Sequence, residues 1–254
     1  MGSAIRKLEM IALIDTGVTV LGGLSQFWDM WAILVRMVAP SLDTPTAQVR
    51  HTLGDFALAT VSIADYDASE VVEPTRPVGV AKVSTPASSE LTAELDGATE
   101  WLGLSSDEIL LGALTRTIAR TLGDGVVAID VASGRGPLLD AVPLICATAR
   151  QLSSTEVLGS VHRALAAGSE SASSAASDVY FNHIGEVRDD AEPVQDTPSA
   201  LGHILEVRVY RTDGDVHIDW WYDTSRFAQH TVTELSEQFP LALYEMTSDA
   251  LPPF

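Results

Sequence analysis

Cysteine is nearly absent from this sequence, since Cys146 is the one cysteine among 254 residues. A single thiol cannot close an internal disulfide, and it cannot supply the cysteines of a structural zinc site. Basic residues are also few: 15 Lys and Arg stand against 35 Asp and Glu, which gives a formal net charge of −20. A surface of this sign repels phosphate backbones and anionic lipid headgroups, so we expect neither nucleic acid nor a membrane as a partner.

Long apolar runs are missing as well. The most apolar stretch near the N-terminus, residues 10–39, is interrupted by Asp15, Asp29 and Arg36, so it lacks the roughly 18 uncharged residues of a membrane span. Asp15 would also lie within the apolar core of a signal peptide, which argues against one. We therefore expect a cytoplasmic protein, and its 46% of apolar residues is typical of an ordinary folded chain.

What the chain does contain is an alternation of strand-like and helix-like segments. Short apolar runs predict strands at residues 10–14, 78–84, 126–131 and 179–181. Apolar residues at helical spacing predict helices at residues 24–38, 86–102, 105–122 and 155–167, the third opening with a capping box of Ser105 and Glu108 and ending at Gly123. Small, polar or proline-containing stretches predict loops at residues 40–45, 168–177 and 189–199, of which the last is acidic and exposed.

A β-hairpin is the clearest local prediction. Asp213 and Gly214 lie between two alternating runs, which is typical of a two-residue turn. This turn sets the register, and one face then pairs Val209 with Ile218, Val207 with Trp220, and Leu205 with Tyr222. The other face pairs Arg208 with Asp219, an opposite-charge pair, and Tyr210 with His217. We expect Trp220 and Tyr222 in the core and Trp221 exposed.

A last helix is predicted to begin near Thr231 with a second capping box, Thr231 and Glu234. Its core stripe would be Val232, Leu235, Phe239 and Leu243, and Pro240 should kink it. The fold class is therefore mixed α/β, with a sheet that contains the hairpin and helices packed on that sheet.

Familiar catalytic motifs are absent. The six histidines do not stand at metal-ligand spacing, and there is no nucleophile elbow and no phosphate-binding loop. Gly134 and Arg135 fit a turn at a strand end with a surface arginine. Asn182 and His183 follow an apolar strand; Asn182 could cap the backbone and Gly185 could supply a positive φ, or these polar groups could be functional. Cys146 lies in an apolar run, where a thiol is usually buried and inert.

Four segments in order resemble motifs of one family. Residues 106–120 (SDEILLGALTRTIAR) resemble its helix D-x-L-L-x-A-L-x-x-A-L, and residues 126–135 (VVAIDVASGR) look like its strand ending in E-G-H-G-R. Residues 180–187 (YFNHIGEV) resemble F-N-Y-L-G-Q-F, and residues 205–227 look like the closing hairpin L-x-W-x-Y-S-x-x-x-F. The family is the condensation/epimerisation superfamily of nonribosomal peptide synthetases with the related carrier-dependent acyltransferases, and the resemblance covers about residues 80–248.

This resemblance implies a chloramphenicol-acetyltransferase-like fold of two lobes, with catalysis in a tunnel between them. Acyl groups arrive on the phosphopantetheine arm of a carrier protein, and no other cofactor is implied. The family signature H-H-x-x-x-D-G lies on the N-terminal lobe, and its second histidine acts as a base or orienting group. Aligned on Gly17, this chain has Ala12 at the histidine position and Thr16 at the Asp position, with Asp15 one residue out of place. Alanine has no proton acceptor, so the signature is degenerate.

The resemblance also predicts the domain organisation. Residues 1–40 would be a remnant of the end of the N-terminal lobe, residues 41–77 a connector, and residues 78–254 the C-terminal lobe. Residues 137–152 replace a longer run that lines the tunnel in the family, and residues 168–177 stand where epimerisation domains carry a further motif. We therefore expect an α/β half-sandwich of the chloramphenicol-acetyltransferase type, with a mixed sheet, a C-terminal hairpin and flanking helices.

Three hypotheses for function follow from the resemblance. The chain is either a degenerate binding or scaffolding partner in nonribosomal peptide or related acyl-chain biosynthesis, or an active transferase or epimerase, or an inactive remnant. The partner would be a carrier protein or another synthetase subunit. Activity would require an N-lobe partner chain or a second copy in a homodimer, with His183, Asn182 and Arg135 lining the shared tunnel. A missing lobe would leave an exposed apolar face, unless Trp28, Trp31 and the rest of residues 10–38 cover it.

Overall fold

The computed structural model describes residues 50–53, 56–67, 79–133, 140–167, 177–187, 194–199 and 201–252. The strand predicted at residues 10–14, the helix at 24–38, the loop at 40–45 and nearly all of the loop at 168–177 lie outside these ranges. Within them, the strands are β1 (Arg50–Leu53), β2 (Phe56–Ala59), β3 (Val80–Ser88), β4 (Val126–Ser133), β5 (Asp140–Ala147), β6 (Val179–Glu186), β7 (Leu205–Thr212) and β8 (Asp215–Asp223). The helices are α1 (Ser89–Leu102), α2 (Ser106–Thr121), α3 (Ser154–Ala167) and α4 (Gln229–Asp249).

Six of these strands form one mixed sheet in the order β3-β8-β7-β6-β4-β5. The central strands β4, β6 and β7 run parallel, and the outer pairings are antiparallel. Strands β1 and β2 form a separate antiparallel pair. The mixed sheet with its helices confirms the predicted α/β class. In the described ranges, no helix is both long and apolar enough to cross a membrane.

The C-terminal hairpin has the predicted register, pair for pair. Its turn residues Asp213 and Gly214 have φ values of 55° and 87°, the left-handed conformation that a two-residue hairpin turn requires. The ion pair expected between Arg208 and Asp219 is wrong, however. Arg208 binds Glu206, two residues earlier on its own strand and face, at 2.6 Å.

Two further differences concern residues near strands. Trp221 is 9% exposed, so the expectation of an exposed aromatic there is wrong. Strand β6 continues past the predicted end at Phe181, and the positive φ of Gly185 (81°) falls at a register shift inside the strand. Strand β5 was not predicted at all, because Pro143 argues against a strand; β5 is an edge strand, where proline is tolerated.

Helix α2 begins with the predicted capping box. The Ser105 hydroxyl accepts a hydrogen bond from the Glu108 amide at 3.3 Å, and the Glu108 carboxylate accepts one from the Ser105 amide at 2.6 Å. Helix α1 begins three residues later than predicted. Pro86 lies in a bulge of edge strand β3, and the cap is Ser88, whose hydroxyl accepts from the Leu91 amide at 3.3 Å.

Helix α4 is capped by a residue far away in the sequence. The predicted box of Thr231 and Glu234 is wrong, because α4 begins at Gln229 after Ala228, which provides no side-chain cap. Asp65 instead accepts hydrogen bonds from the Ala228 amide at 2.8 Å and from the Thr231 hydroxyl at 3.0 Å. The helix runs through Pro240 to Asp249, and the kink there stays a prediction.

The apolar core lies between the helices and one face of the sheet. The predicted stripe of α4 is confirmed, since Val232, Leu235, Phe239 and Leu243 are all fully buried. Trp220 packs edge-on against Phe239, with ring centroids 5.7 Å apart, and its indole nitrogen donates to Thr85 at 3.0 Å. Because side chains alternate along a strand, the residues between these core positions point to the opposite face of the sheet.

Candidate functional site

The two predicted site residues on β6 lie on opposite faces of the sheet. Asn182 faces away from the helices, is buried, and stands beside Arg208 of β7 in the strand register. His183 faces the helices, where its Nδ1 lies 2.6 Å from an oxygen of Asp107 in the first turn of α2. Arg135 lies outside the described residues. That these three side chains line one tunnel therefore stays a prediction.

The degenerate signature also lies outside the described ranges. Its residues, Ala12, Asp15, Thr16 and Gly17, all precede Arg50, where the described part of the chain begins. Their departure from the family pattern stays a prediction from the sequence.

The N-terminus of α2 holds two histidine–carboxylate pairs. Asp107 binds His183, and Glu108 binds His162 of α3 as well as capping the helix through Ser105. Burial pushes the pKa of Glu108 upward, but the hydrogen bonds from Ser105 and His162 outweigh it and leave that pKa below its usual value. Both carboxylates lie in the first turn of the helix, where the helix dipole favours negative charge. The arrangement fixes the orientation of both imidazole rings.

The sheet face turned away from the helices is polar, and we call it the polar face. It was not predicted as a unit, although alternation along the hairpin placed five of its members on one side. Its residues are Lys82, Ser84, Asp130, Tyr180, Asn182, Glu206, Arg208, Tyr210, His217, Asp219 and Trp221. Adjacent strands bring them into rows, and one row runs from Lys82 through Trp221, Glu206 and Tyr180 to Asp130.

A buried ion pair stands at the centre of the polar face. Arg208 and Glu206 have side chains only 6% and 5% exposed, and their closest atoms are 2.6 Å apart. Two charges this far from water are stable only when their remaining hydrogen-bonding groups also find partners. Those partners come from a short loop segment, residues 194–199, which we call the strap.

The strap lies along this ion pair. Arg208 donates to the carbonyls of Gln195 and Thr197, the second at 2.9 Å. The backbone amide of Ser199 donates to Glu206 at 2.7 Å, and the Ser199 hydroxyl donates to the same oxygen. This segment falls within the predicted acidic loop, and Asp196 at its middle is exposed as expected.

Lys82 connects the strap to edge strand β3. Its ammonium group binds Asp196 of the strap and lies 3.8 Å from Asp219 of β8. The same ammonium stands 5.1 Å from the ring centroid of Trp221, within the range of a cation–π contact. The hydrogen bond with Asp196 raises the pKa of Lys82, although partial burial opposes the rise. Lys82 is therefore a firmly charged cation at neutral pH.

A third histidine–carboxylate pair lies at the other side of the polar face. His203 Nε2 is 2.8 Å from Asp130 of β4, and its ring stacks on Tyr180 with centroids 5.1 Å apart. The Tyr180 hydroxyl is buried without a hydrogen-bond partner among the described residues. Burial, followed by the charge of Glu206, raises the pKa of Tyr180 to about 12. The phenol is therefore a proton donor at neutral pH.

Other chemistries find less support in the described ranges. No group of three His, Cys, Asp or Glu side chains there is placed to hold a metal ion. Cys146 is buried as predicted, and burial raises its pKa to about 11. A thiol with so high a pKa is a poor nucleophile near neutral pH.

The expected exposed apolar face is not found among the described residues. Their exposed large apolar side chains are spread over several elements and loops: Val80, Trp101, Leu201, Leu241 and Leu251. The sheet face without helices carries charged and hydrogen-bonding groups instead. Sequence reasoning assumed that an uncovered face would be apolar, whereas the alternation of Glu206 and Arg208 with core residues already indicated a polar one.

Comparison with solved structures identifies the architecture. The epimerization domain from the third module of tyrocidine synthetase B matches with a TM-score of 0.58 and 14% identity, over 93% of this chain and 62% of that one. The condensation domain of the monacolin K polyketide synthase MokA matches with a TM-score of 0.59 and 10% identity, over 98% and 61%. The fold is that of a condensation/epimerisation domain. The predicted fold class is thereby confirmed.

A third solved structure of this fold is the complex of the X-domain and OxyB from teicoplanin biosynthesis. It matches with a TM-score of 0.54 and 16% identity, over 88% of this chain and 53% of that chain. At these identities the likeness establishes the condensation fold and leaves the activity open. No family model matches the sequence.

Curated relatives are found among polyketide synthases. One subunit of the phenolphthiocerol/phthiocerol polyketide synthase of Mycobacterium tuberculosis is 30% identical over 275 aligned residues, which cover 88% of this chain. The corresponding protein of Mycobacterium bovis matches equally well. This chain spans only 18% of the length of those relatives. The resemblance to condensation and epimerisation domains therefore holds in fold, together with distant similarity to part of a polyketide synthase.

Proposed function

We propose that this chain is a condensation-like module of a polyketide or nonribosomal peptide assembly line that binds or scaffolds a partner without transferring an acyl group itself. The observation that carries the proposal is the pairing of a condensation-domain fold with Ala12 at the position of the family's catalytic histidine. Alanine can neither accept nor orient a proton, so a fold retained without that group is better suited to binding.

The comparisons support both parts of this proposal. The similarity to a polyketide synthase over 88% of the chain supports a place beside carrier proteins or other synthetase subunits. The X-domain and OxyB were solved as a complex, which supports protein binding as a use of this fold. The net charge of −20 favours partners with a basic face, except where this chain offers local positive charge.

One observation favours the alternative of an active transferase or epimerase. His183 is held by Asp107 at 2.6 Å, and a carboxylate behind an imidazole orients that ring for proton transfer. The pair lies at the end of the segment that resembles F-N-Y-L-G-Q-F, next to Asn182. In this alternative, a separate N-terminal lobe or a second copy supplies the missing histidine, and the substrate arrives on the phosphopantetheine arm of a carrier.

Mass spectrometry of the intact chain with loaded carrier proteins separates the two functions. The chain is mixed with acyl- or aminoacyl-loaded carrier, with the same carrier bearing no acyl group as control. Native spectra report a complex, and denaturing spectra report loss of the acyl group from the carrier. We expect a complex with unchanged acyl masses.

Transfer of the acyl group would overturn the non-catalytic proposal. The variant His183→Gln would then show whether the histidine bound to Asp107 takes part, with His162→Gln as the matched control at the neighbouring pair. Absence of both complex and transfer would contradict the binding role.

A further inference from the structure

The strap is attached to the polar face by polar contacts. Its described contacts are the hydrogen bonds from Arg208, those to Glu206, and the ion pair between Asp196 and Lys82. None of its residues belongs to the apolar core or packs against it. Such contacts are exchangeable, because another polypeptide or water can supply equivalent donors and acceptors.

The strap presents a defined chemistry to the sheet. Two backbone carbonyls, of Gln195 and Thr197, accept from one guanidinium, and the carboxylate of the residue between them binds an ammonium. This is the pattern of an extended acidic peptide lying on a pair of cations. The free chain therefore shows directly which groups the polar face can hold.

The polar face also has hydrogen-bonding capacity that the strap leaves unused. The Trp221 indole nitrogen and the Tyr180 hydroxyl are buried donors without a partner among the described residues. Both stand in the row that contains Glu206, on either side of it. Leaving a buried donor unpaired is unfavourable, and a segment with further carbonyl groups could satisfy both.

The local charge is unusual for this protein. Against a net charge of −20, Lys82 and Arg208 bring two cations to one surface, and Asp196 neutralises Lys82 from the exposed side. We propose that the polar face under the strap is a binding surface for an extended, acidic segment of a partner protein, and that the strap occupies this surface in the free chain as an internal competitor. This deepens the proposed function, on which it rests, by naming the surface that would hold the partner.

The test uses the full chain and a synthetic peptide. The probe is fluorescein-labelled DDAEPVQDTPS, the sequence of residues 189–199, and its binding is followed by fluorescence anisotropy. The variant Asp196→Asn weakens the hold of the strap on Lys82. The matched control is Asp96→Asn, which removes an exposed carboxylate from its ion pair with Arg211 on another part of the surface.

Weakening the internal competitor should strengthen binding of the probe. An exposed ion pair of this kind corresponds to a change of about two- to five-fold in affinity, so Asp196→Asn should bind the peptide tighter by about that factor. Asp96→Asn should match the wild-type chain. Adding Lys82→Met to Asp196→Asn should abolish the gain, and the uncharged peptide NNAQPVQNTPS should bind more weakly than the probe.

Several results would overturn the proposal. Equal affinity of Asp196→Asn and Asp96→Asn would show that the strap does not compete, and equal affinity for the uncharged peptide would show that acidic groups are not recognised. If Asp196→Asn does not fold, Ser199→Ala, which removes a hydroxyl donor to Glu206, replaces it with the same expectation. Because no carrier protein is present, failure here is distinct from failure to form a carrier complex.

Discussion

Replacing Asp65 by alanine tests whether helix α4 depends on a cap supplied by residues far away in the sequence. Asp65 accepts two hydrogen bonds at the start of this helix, at 2.8 Å from the Ala228 amide and at 3.0 Å from the Thr231 hydroxyl. Loss of an N-terminal cap costs about 0.5–2 kcal/mol, and hydrogen bonds to a charged acceptor belong to the upper part of that range. We therefore expect Asp65→Ala to lower the free energy of unfolding by about 1–2 kcal/mol.

The assay is urea unfolding followed by circular dichroism, supported by thermal unfolding. For a chain of this size, 1 kcal/mol corresponds to about 2–4 °C in Tm. The matched control is Glu234→Ala, because the sequence pattern assigned the cap to Thr231 and Glu234. Both substitutions remove one negative charge from an acidic protein, so a difference between them reports the cap and not the net charge.

We expect Glu234→Ala to change stability by less than about 0.5 kcal/mol. Asp65→Asn should retain much of the stability, since asparagine is also a good cap. A loss in Glu234→Ala equal to that in Asp65→Ala would refute the assignment of the cap.

Two further predictions concern buried polar groups. Arg116, buried in α2, donates to the carbonyls of Arg150 at 3.1 Å and Leu152, so Arg116→Met should destabilise the chain by roughly 2–4 kcal/mol in urea unfolding, and an unchanged midpoint would contradict this role. Tyr180→Phe should leave stability at pH 8 unchanged or higher, because the Tyr180 hydroxyl has no partner among the described residues. Burial raises the pKa of Tyr180 from 10 to about 12, so the protonated form is favoured by folding; its contribution is complete below pH 10 and is lost as the pH rises toward 12. The wild-type chain should therefore lose stability relative to Tyr180→Phe between pH 10 and 12, and parallel pH profiles would contradict it.

Elements fixed by local chemistry were predictable from the sequence. The turn at Asp213 and Gly214 requires positive φ values, and this requirement alone determined which residues pair across the hairpin. The capping box of Ser105 and Glu108 likewise involves residues three apart. Each of these features is decided within a few residues, so no knowledge of the remaining chain is needed.

The features that sequence reasoning missed depend on contacts between distant segments. The cap of α4 comes from Asp65, the ion pair of Arg208 is completed by the strap, and β5 forms only because β4 offers it a partner. Neighbouring residues in a strand also separate in space, which explains why Asn182 and His183 lie on opposite faces. A pattern of residue types shows which side chains are adjacent in the sequence, whereas the sheet decides which of them meet.

Both edges of the six-stranded sheet carry a proline, Pro86 in the bulge of β3 and Pro143 in β5. Proline has no amide hydrogen, so an added strand would find its ladder of hydrogen bonds interrupted at either edge. Edge strands of this kind resist the strand-to-strand association that leads to fibres and swapped dimers. A second protein that joins this one is therefore expected to dock through side chains on a face of the sheet or on its helices, leaving the six strands as a closed set.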